Sequence, residues 1–224
     1  KVRTQINGVW TSYTKNSNGN WLGKPTAPAI TSFNRTEKYY PVLVEITNDA
    51  GTVVTYDVSD SEIGNSLKLQ VYEINKPTIV LVTPTNGARV TNNKQPITFK
   101  VTDEANGSGV KTSTVSLKID GNTFNESSTG MVKTAITNGY QFVYTPQTAL
   151  SNGDHTITIN AQDNDGNAAA AVTASIKVDT VPPSLNITSP NNGLITNTKS
   201  ITLAGTTNDA TSSPVTVTAK LNGV

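Results

Sequence analysis

The sequence predicts an all-β chain built of repeated two-sheet modules, and three observations carry that prediction. The first is an internal repeat. The stretch from Pro77 to Asp103, PTIVLVTPTNGARVTNNKQPITFKVTD, returns loosely from Pro183 to Asp209 as PSLNITSPNNGLITNTKSITLAGTTND. Pro84-Thr85-Asn86-Gly87 answers to Pro190-Asn191-Asn192-Gly193, Val90-Thr91-Asn92 to Ile195-Thr196-Asn197, and Ile97-Thr98-Phe99 to Ile201-Thr202-Leu203. The offset falls from 106 through 105 to 104 residues, which single-residue gaps in turns would absorb. The second observation is period-two alternation, clean in Val115 to Ile119 and in Thr156 to Ala161, which buries one face of a strand and wets the other. The third is composition: 15% of residues are charged, against about 25% in an average domain, and Thr, Asn, Ser and Gly fill the polar positions. A repeat near 105 residues matches the roughly 100 of an immunoglobulin-like sandwich, so the expected class is all-β, as tandem immunoglobulin-like β-sandwiches.

Net charge is +1 and the signs are interleaved, so the chain has no electrostatic footprint for nucleic acid or an anionic membrane surface. The absence of cysteine excludes a disulfide framework, thiol catalysis and cysteine-type zinc sites. No apolar run reaches the ~18 residues of a membrane helix. The chain begins at Lys1 instead of methionine, which leads to the expectation that upstream sequence has been removed.

Residues 1–76 hold eight of the thirteen aromatics, both tryptophans among them. Val9 to Thr14 and the segment around Trp21 flank Asn16 to Asn20, a run that tolerates the positive φ of a hairpin loop. A second hairpin is expected from Tyr39 to Val58 around the turn Asn48-Asp49-Ala50-Gly51, with Val42, Val44 and Ile46 as an inward row. One helical turn is expected over Ser61 to Asn65, then a strand from Leu67 to Tyr72. These elements predict a divergent, aromatic-rich β domain of sandwich type.

Residues 77–180 accommodate a complete sandwich: strands over Thr78 to Val82, Pro96 to Thr102, Ser113 to Ile119, Gly139 to Thr145, Asp154 to Gln162 and Ala168 to Val178, with a short piece near Thr123 or Val132. Asp120-Gly121, Asn152-Gly153 and Asp165-Gly166 supply tight turns. Val181-Pro182-Pro183 then marks a stiff boundary, poor in backbone donors. Residues 181–224 read as the first half of a third module, with a strand over Val215 to Leu221 and Asn222-Gly223 in the place of Asp120-Gly121. Half a sandwich leaves an apolar face and open edges, so the expectation is a piece of a longer protein; the alternative is a natural end completed by a partner chain.

At Pro84-x-Asn86-Gly87, at Asp103 with Ser108-Gly109-Val110, and from Asn152-Gly153-Asp154-His155-Thr156 through Asp163-Asn164-Asp165-Gly166-Asn167, the chain resembles bacterial Ig-like repeat domains. The resemblance covers Pro77 onward. It implies tandem modules of bacterial surface and adhesion proteins, with phage tail and capsid proteins as the other setting. The fold hosts unrelated sites, so a function drawn this way is analogy.

Two candidate sites follow. Trp10, Tyr13, Trp21, Tyr39 and Tyr40, with Phe33, form the candidate binding surface, because exposed aromatics stack on sugar rings or anchor a protein partner. The competing reading makes one set of them the core of a domain short of other large side chains. Asp163-x-Asp165-Gly166-Asn167 places oxygen ligands at alternate positions, and Asp103 with Glu104 could join Asp163 and Asp165 around a structural Ca²⁺. Its rival is a hairpin turn shaped by the same side chains. His155, the single histidine, lies in a turn-to-strand motif and reads as structural; no catalytic constellation is announced by any spacing. Lys100 and Asn160 fall on the wet side of their strands, which disfavours a buried crosslink between them.

The expected function is therefore a non-catalytic, extracellular or cell-surface structural and adhesion segment that needs no cofactor beyond that Ca²⁺. Its partners would be a host-surface protein or glycan and further Ig-like modules of the same parent protein, without nucleic acid or membrane insertion. The alternatives are a carbohydrate-binding module of an extracellular enzyme, carried by Trp10 and Trp21, and a phage tail or capsid decoration protein on the virion.

Overall fold

In a computed structural model, which describes residues 1–209, 212 and 214–220, strands form five sheets and the remaining regular structure is three short 3₁₀ turns. The first region contains β1 (Val2–Ile6), β2 (Val9–Ser12), β3 (Thr14–Lys15), β4 (Trp21–Leu22), β5 (Tyr40–Thr47), β6 (Val53–Tyr56) and β7 (Lys68–Leu69). A hairpin that sequence reading missed opens the chain: Asn7 and Gly8 take positive φ, 48° and 83°, and fold β2 back on β1. Both central residues of a two-residue turn need that region, which suits Asn-Gly. Strand order is β2-β1-β5-β6, with β7 also pairing β5, while β3 and β4 form the expected hairpin around Asn16 to Asn20.

The inward row expected in β5 is only half-buried, and Ile46 is exposed. A single five-stranded sheet, covered by loops, does not meet a second broad sheet among the described residues. The helical turn lies at Gly64–Leu67, displaced toward the C-terminus from Ser61 to Asn65. The strand expected from Leu67 to Tyr72 reduces to Lys68–Leu69, because beyond it the chain leaves the sheet to reach the next module.

The second module holds β8 (Thr78–Thr83), β9 (Ala88–Val90), β10 (Ile97–Thr102), β11 (Ser116–Ile119), β12 (Asn122–Phe124), β13 (Met131–Ile136), β14 (Gly139–Tyr144), β15 (Gly153–Asn160) and β16 (Val172–Val178). They divide into sheets of order β13-β14-β10-β8 and β12-β11-β15-β16-β9. The chain crosses from one sheet to the other between β8 and β9, and β9 then runs parallel to β16. This crossing escaped sequence reading because Ala88–Val90 is too short to show alternation. Ile97, Phe99, Val101, Phe142 and Tyr144 from one sheet meet Leu117, Ile119, Ile157, Ile159, Ile176 and Val178 from the other, all buried. Phe99 and Phe142 stack with ring centroids 5.1 Å apart. As parity requires, Lys100 is exposed and Asn160 lies opposite the core side of β15.

In the third region β17 (Ser184–Ser189) pairs with β18 (Ala204–Asn208). The pairing reproduces the β8–β10 pairing down to its irregularity: Val82 is skipped in one and Thr188 in the other, and Thr98 and Ala204 occupy the same register position. The Thr85 to Ala88 turn likewise answers to Asn191 to Leu194. All these equivalences stand at one offset, 106 residues. Structure thus matches Thr98 to Ala204, correcting the expected match to Thr202, and no gaps separate the paired positions. The strand expected at Val215 is not formed over residues 215–220; its last residue, Leu221, and Asn222 to Val224 lie outside the described residues.

Replacing Phe99 with alanine removes a fully buried ring from the stacked pair and should cost about 3–5 kcal/mol in urea unfolding. Ile46→Thr, on the exposed row of β5, should shift stability by less than about 1 kcal/mol. Equal effects would mean that the second module is not the stability centre of the chain.

Candidate functional site

The aromatic set divides when placed on the fold. Trp10 on β2 is 37% exposed, with the Arg3 guanidinium 4.0 Å above its ring. Arg3 is itself held by a fork to Glu45, Nε to Oε1 at 2.7 Å and Nη2 to Oε2 at 2.8 Å, so one face of Trp10 is occupied by a fixed cation. Trp21 on β4 is 41% exposed and lies opposite Lys15. Tyr13 is half-buried beneath Gly23, where an added Cβ would come 2.7 Å from its ring. Tyr39 is half-buried with Lys68 Nζ 5.6 Å from its ring, and Phe33 carries Lys38 Nζ at 4.1 Å. Tyr40 corrects the expectation of a binding aromatic. It is 4% exposed, its hydroxyl donates to the Ile30 carbonyl at 3.0 Å, and Arg35 covers its ring. Its place at the start of β5, beside β7, explains the burial.

The acids Asp103 and Asp163 do come together, and they do so with a residue that sequence reading did not single out, Glu73. One carboxylate oxygen from each lies within 4.8 Å of the others. Three separate stretches supply them. Asp103 follows β10, Asp163 follows β15 and bridges to Val110, and Glu73 belongs to the segment leading from β7 into Pro77. Asp163 is 0% exposed and Asp103 8%. Asp163 Oδ1 accepts from the Gly166 and Asn167 amides, and Oδ2 from Asn167 Nδ2 at 2.8 Å. Asp103 Oδ2 accepts from the Gly109 amide at 2.7 Å, and Glu73 Oε1 from the Ser108 amide. Asp103 Oδ1 and Glu73 Oε2 are buried and accept from no N–H or hydroxyl donor, with the Glu104 carboxyl facing both acids.

Burial, followed by the facing Glu104 carboxyl, pushes Glu73 up to about 7 and Asp103 up to about 6, while Glu104 is pulled down by its hydrogen bond with Glu73. Like charges crowded at low polarity disfavour joint ionisation. Asp165, expected among the metal ligands, is instead engaged elsewhere, since its Oδ2 accepts from Thr31 Oγ1 at 2.6 Å and from the Glu73 amide at 3.0 Å. The run from Asp163 to Asn167 shapes a turn, and it also brings Asp163 to the cluster. Glu73 was legible through the repeat after all. At the 106-residue offset, Glu73 and Asp103 become Asp179 and Asp209.

His155 is buried at the start of β15, where Nδ1 lies 2.5 Å from Asp120 Oδ2 and Nε2 lies 2.8 Å from the Ser151 carbonyl. Both ring nitrogens face acceptors, so the doubly protonated ring satisfies both and the neutral ring only one. This is a clamp between the Asp120-Gly121 turn and the loop before β15.

With two facing sheets, the β8-to-β9 crossing and the parallel β9–β16 pair in place, comparison with known families is decisive for the middle of the chain. The bacterial Ig domain family matches residues 77–159. The middle module is a bacterial Ig domain. Residues 183–224 match the family described as glucodextranase, domain B. No curated protein matches the chain. Among solved structures, fibronectin(III)-like modules of CbhA from Clostridium thermocellum are 19% identical, with TM-score 0.32, covering 80% of this chain and 77% of that one. The SrpA adhesin from Streptococcus sanguinis is also 19% identical, with TM-score 0.31, covering 51% and 64%. SGBP-B of the Bacteroides ovatus mixed-linkage glucan utilization locus, solved with a mixed-linkage heptasaccharide, is 13% identical, with TM-score 0.25, covering 85% and 43%. These are distant likenesses of fold, and none bears on what this chain binds.

The clamp gives a pH prediction for the Ig domain. Burial pulls the His155 pKa down, but Asp120 and the Ser151 carbonyl outweigh it and the net direction is above the ordinary 6.5; burial raises Asp120, yet His155 and the Thr156 amide bring it below 3.8. A raised imidazole contributes stability that is whole below its unfolded pKa and is lost as pH rises through the folded value. A lowered carboxyl contributes stability present above its unfolded pKa and lost as pH falls through the folded value. The pair thus stabilises most between about pH 4 and 6.5. NMR titration of this single histidine should give a pKa above 6.5, falling toward or below that value in Asp120→Asn. An unchanged value in the variant would remove Asp120 as the cause.

Proposed function

We propose that the chain is a non-catalytic, surface-exposed spacer of bacterial Ig-like modules that carries an adhesive end away from a larger body. Bacterial Ig domains are structural modules typical of surface and extracellular proteins, and the sequence repeats the opening of one at residues 183–209. The observation that carries the reading is the build of the junction between residues 1–76 and the Ig domain. Asn34 Nδ2 donates to the Gly107 carbonyl at 2.6 Å, Asn75 Nδ2 to Glu104 Oε1 at 2.9 Å, and Asn167 Nδ2 to the Glu73 carbonyl at 3.1 Å. Thr31 and the Glu73 amide add their bonds to Asp165. A flexible tether would leave these groups to water. Bonds from both partners restrict the hinge, as a spacer that transmits position requires.

The chain is free of cysteine, so a spin-label pair at Thr55→Cys and Lys118→Cys reports the junction alone. The expected distance distribution is narrow and broadens when Asn34 and Asn167 are both changed to alanine. A broad distribution in the parent chain would overturn the spacer reading.

Trp21 and the glucodextranase domain B match favour one second reading, glycan binding. Trp21 leaves its indole 41% exposed, and a sugar ring stacks on such a face. On a glycan array a pure spacer gives no saturable signal. A glycan binder gives one that Trp21→Ala weakens at least about tenfold, the loss expected for an aromatic hot spot.

A further inference from the structure

The structure assigns a divalent-cation site, of Ca²⁺ chemistry, to Glu73, Asp103 and Asp163, where it would fasten the segment leading out of the first region to two loops of the bacterial Ig domain. This goes beyond the spacer reading and does not depend on it. Acidic residues gathered at a surface carry no such meaning, because water solvates each of them. Here the second observation is burial without partners. Asp103 is more than nine-tenths buried, and its Oδ1 accepts from no donor; Glu73 is half-buried, but its Oε2 is buried and likewise without a donor. A buried ionised oxygen without a donor is strongly unfavourable, and two of them beside the fully buried Asp163 are more so. The ion pairs of Arg3 with Glu45, Lys133 with Glu126, and His155 with Asp120 all lie elsewhere. Positive charge is therefore wanted at this place, and no side chain supplies it.

The geometry selects the ion. Ligands of one Ca²⁺, each at about 2.4 Å, stand at most about 4.8 Å apart, and one oxygen from each of the three carboxylates falls within that limit. The donors are carboxylates throughout, with no imidazole or thiolate, which selects a hard cation over zinc or copper. Mg²⁺ prefers a smaller octahedral shell that keeps several waters, whereas Ca²⁺ accepts irregular, carboxylate-rich sets. The bonds already made hold the cluster in place and leave Asp103 Oδ1 and Glu73 Oε2 unused, while Asp163 Oδ2 keeps a further lone pair. Gly109 N–H, Ser108 N–H and the Gly166 and Asn167 amides each orient one carboxylate from behind. Gly107 leaves the space open, since a Cβ there would come 2.8 Å from Asp103 Oδ2.

The test uses the whole chain, stripped with chelator and dialysed. Isothermal titration with CaCl₂ should show one saturable site, and the melting temperature should rise with Ca²⁺, because a ligand bound only by the folded state stabilises it in proportion to the logarithm of its concentration. Mg²⁺ at equal concentration should bind at least about tenfold more weakly. Glu73→Gln and Asp103→Asn should each weaken Ca²⁺ by at least about tenfold, yet melt no lower than the parent in chelator, since each removes a buried charge. Hydrogen exchange adds a readout specific to the junction: Ca²⁺ should slow exchange over residues 70–76 as well as 103–109 and 163–167. No Ca²⁺-dependent heat or melting shift in the parent chain overturns the site. Binding unaffected by either substitution overturns the ligand assignment. Protection confined to 103–109 and 163–167 overturns the role of Glu73 in fastening the junction.

Discussion

The mutual burial of two sheet faces in the Ig domain is the constraint on which the rest of this chain depends. Each face is apolar because strands of period two bring every second side chain to the same side, and neither is stable in water alone. Phe99 on Phe142 and the Ile157, Ile159 and Ile176 rows against Ile97 and Val101 close that space. The first region has no comparable core. Its sheet is half-covered, with Val9, Ile46, Val53 and Val54 exposed, and its order comes in good part from polar ties to the neighbouring module. Stability flows along the chain from the Ig domain outward.

That dependence explains what was legible in the sequence. Strands of the Ig domain announced themselves, since the β11 and β15 stretches alternate cleanly and are bounded by the Asp120-Gly121 and Asn152-Gly153 turns. The β3–β4 hairpin and the Asn48 to Gly51 turn were read from the same local chemistry. Elements set by tertiary contacts were not. Ala88–Val90 becomes a strand only because β16 offers it a parallel edge, and Leu67 to Tyr72 loses most of its strand because the chain must depart toward Pro77. Tyr40 looked like its half-buried neighbour Tyr39, and its place at the β5–β7 pairing goes with its burial.

At the candidate site the limit was of another kind. Asp103, Asp163 and Asp165 stood out by spacing, but spacing assigns no direction. Asp165 turns toward Thr31 and the Glu73 amide, while Asp163 turns inward to the cluster. Glu73 carried no local signal, as one acid in a connecting segment. The signal that could have found it was the repeat. Turns and bulges keep one offset from Val82 and Thr188 to Thr98 and Ala204, and continuing that offset backward pairs Glu73 with Asp179.

The recurrence has physical content. An acid before the module and an acid after its second long strand are kept at both boundaries, as Glu73 with Asp103 and as Asp179 with Asp209. Their neighbours differ. Around Asp179 and Asp209 the cleft is also lined by Arg89, which brings a permanent positive charge to that boundary. Around Glu73 and Asp103 the third group is another acid, Asp163, and the hydrogen-bond donors are neutral amides. Two boundaries with the same acid pair thus meet opposite electrostatic conditions. A basic side chain offers its charge at every ionic composition of the medium, whereas a cation drawn from solution offers it only where that ion is abundant. If the proposed cation holds the first boundary, that boundary would respond to the ionic composition of the medium, whereas the Arg89 charge at the second would not.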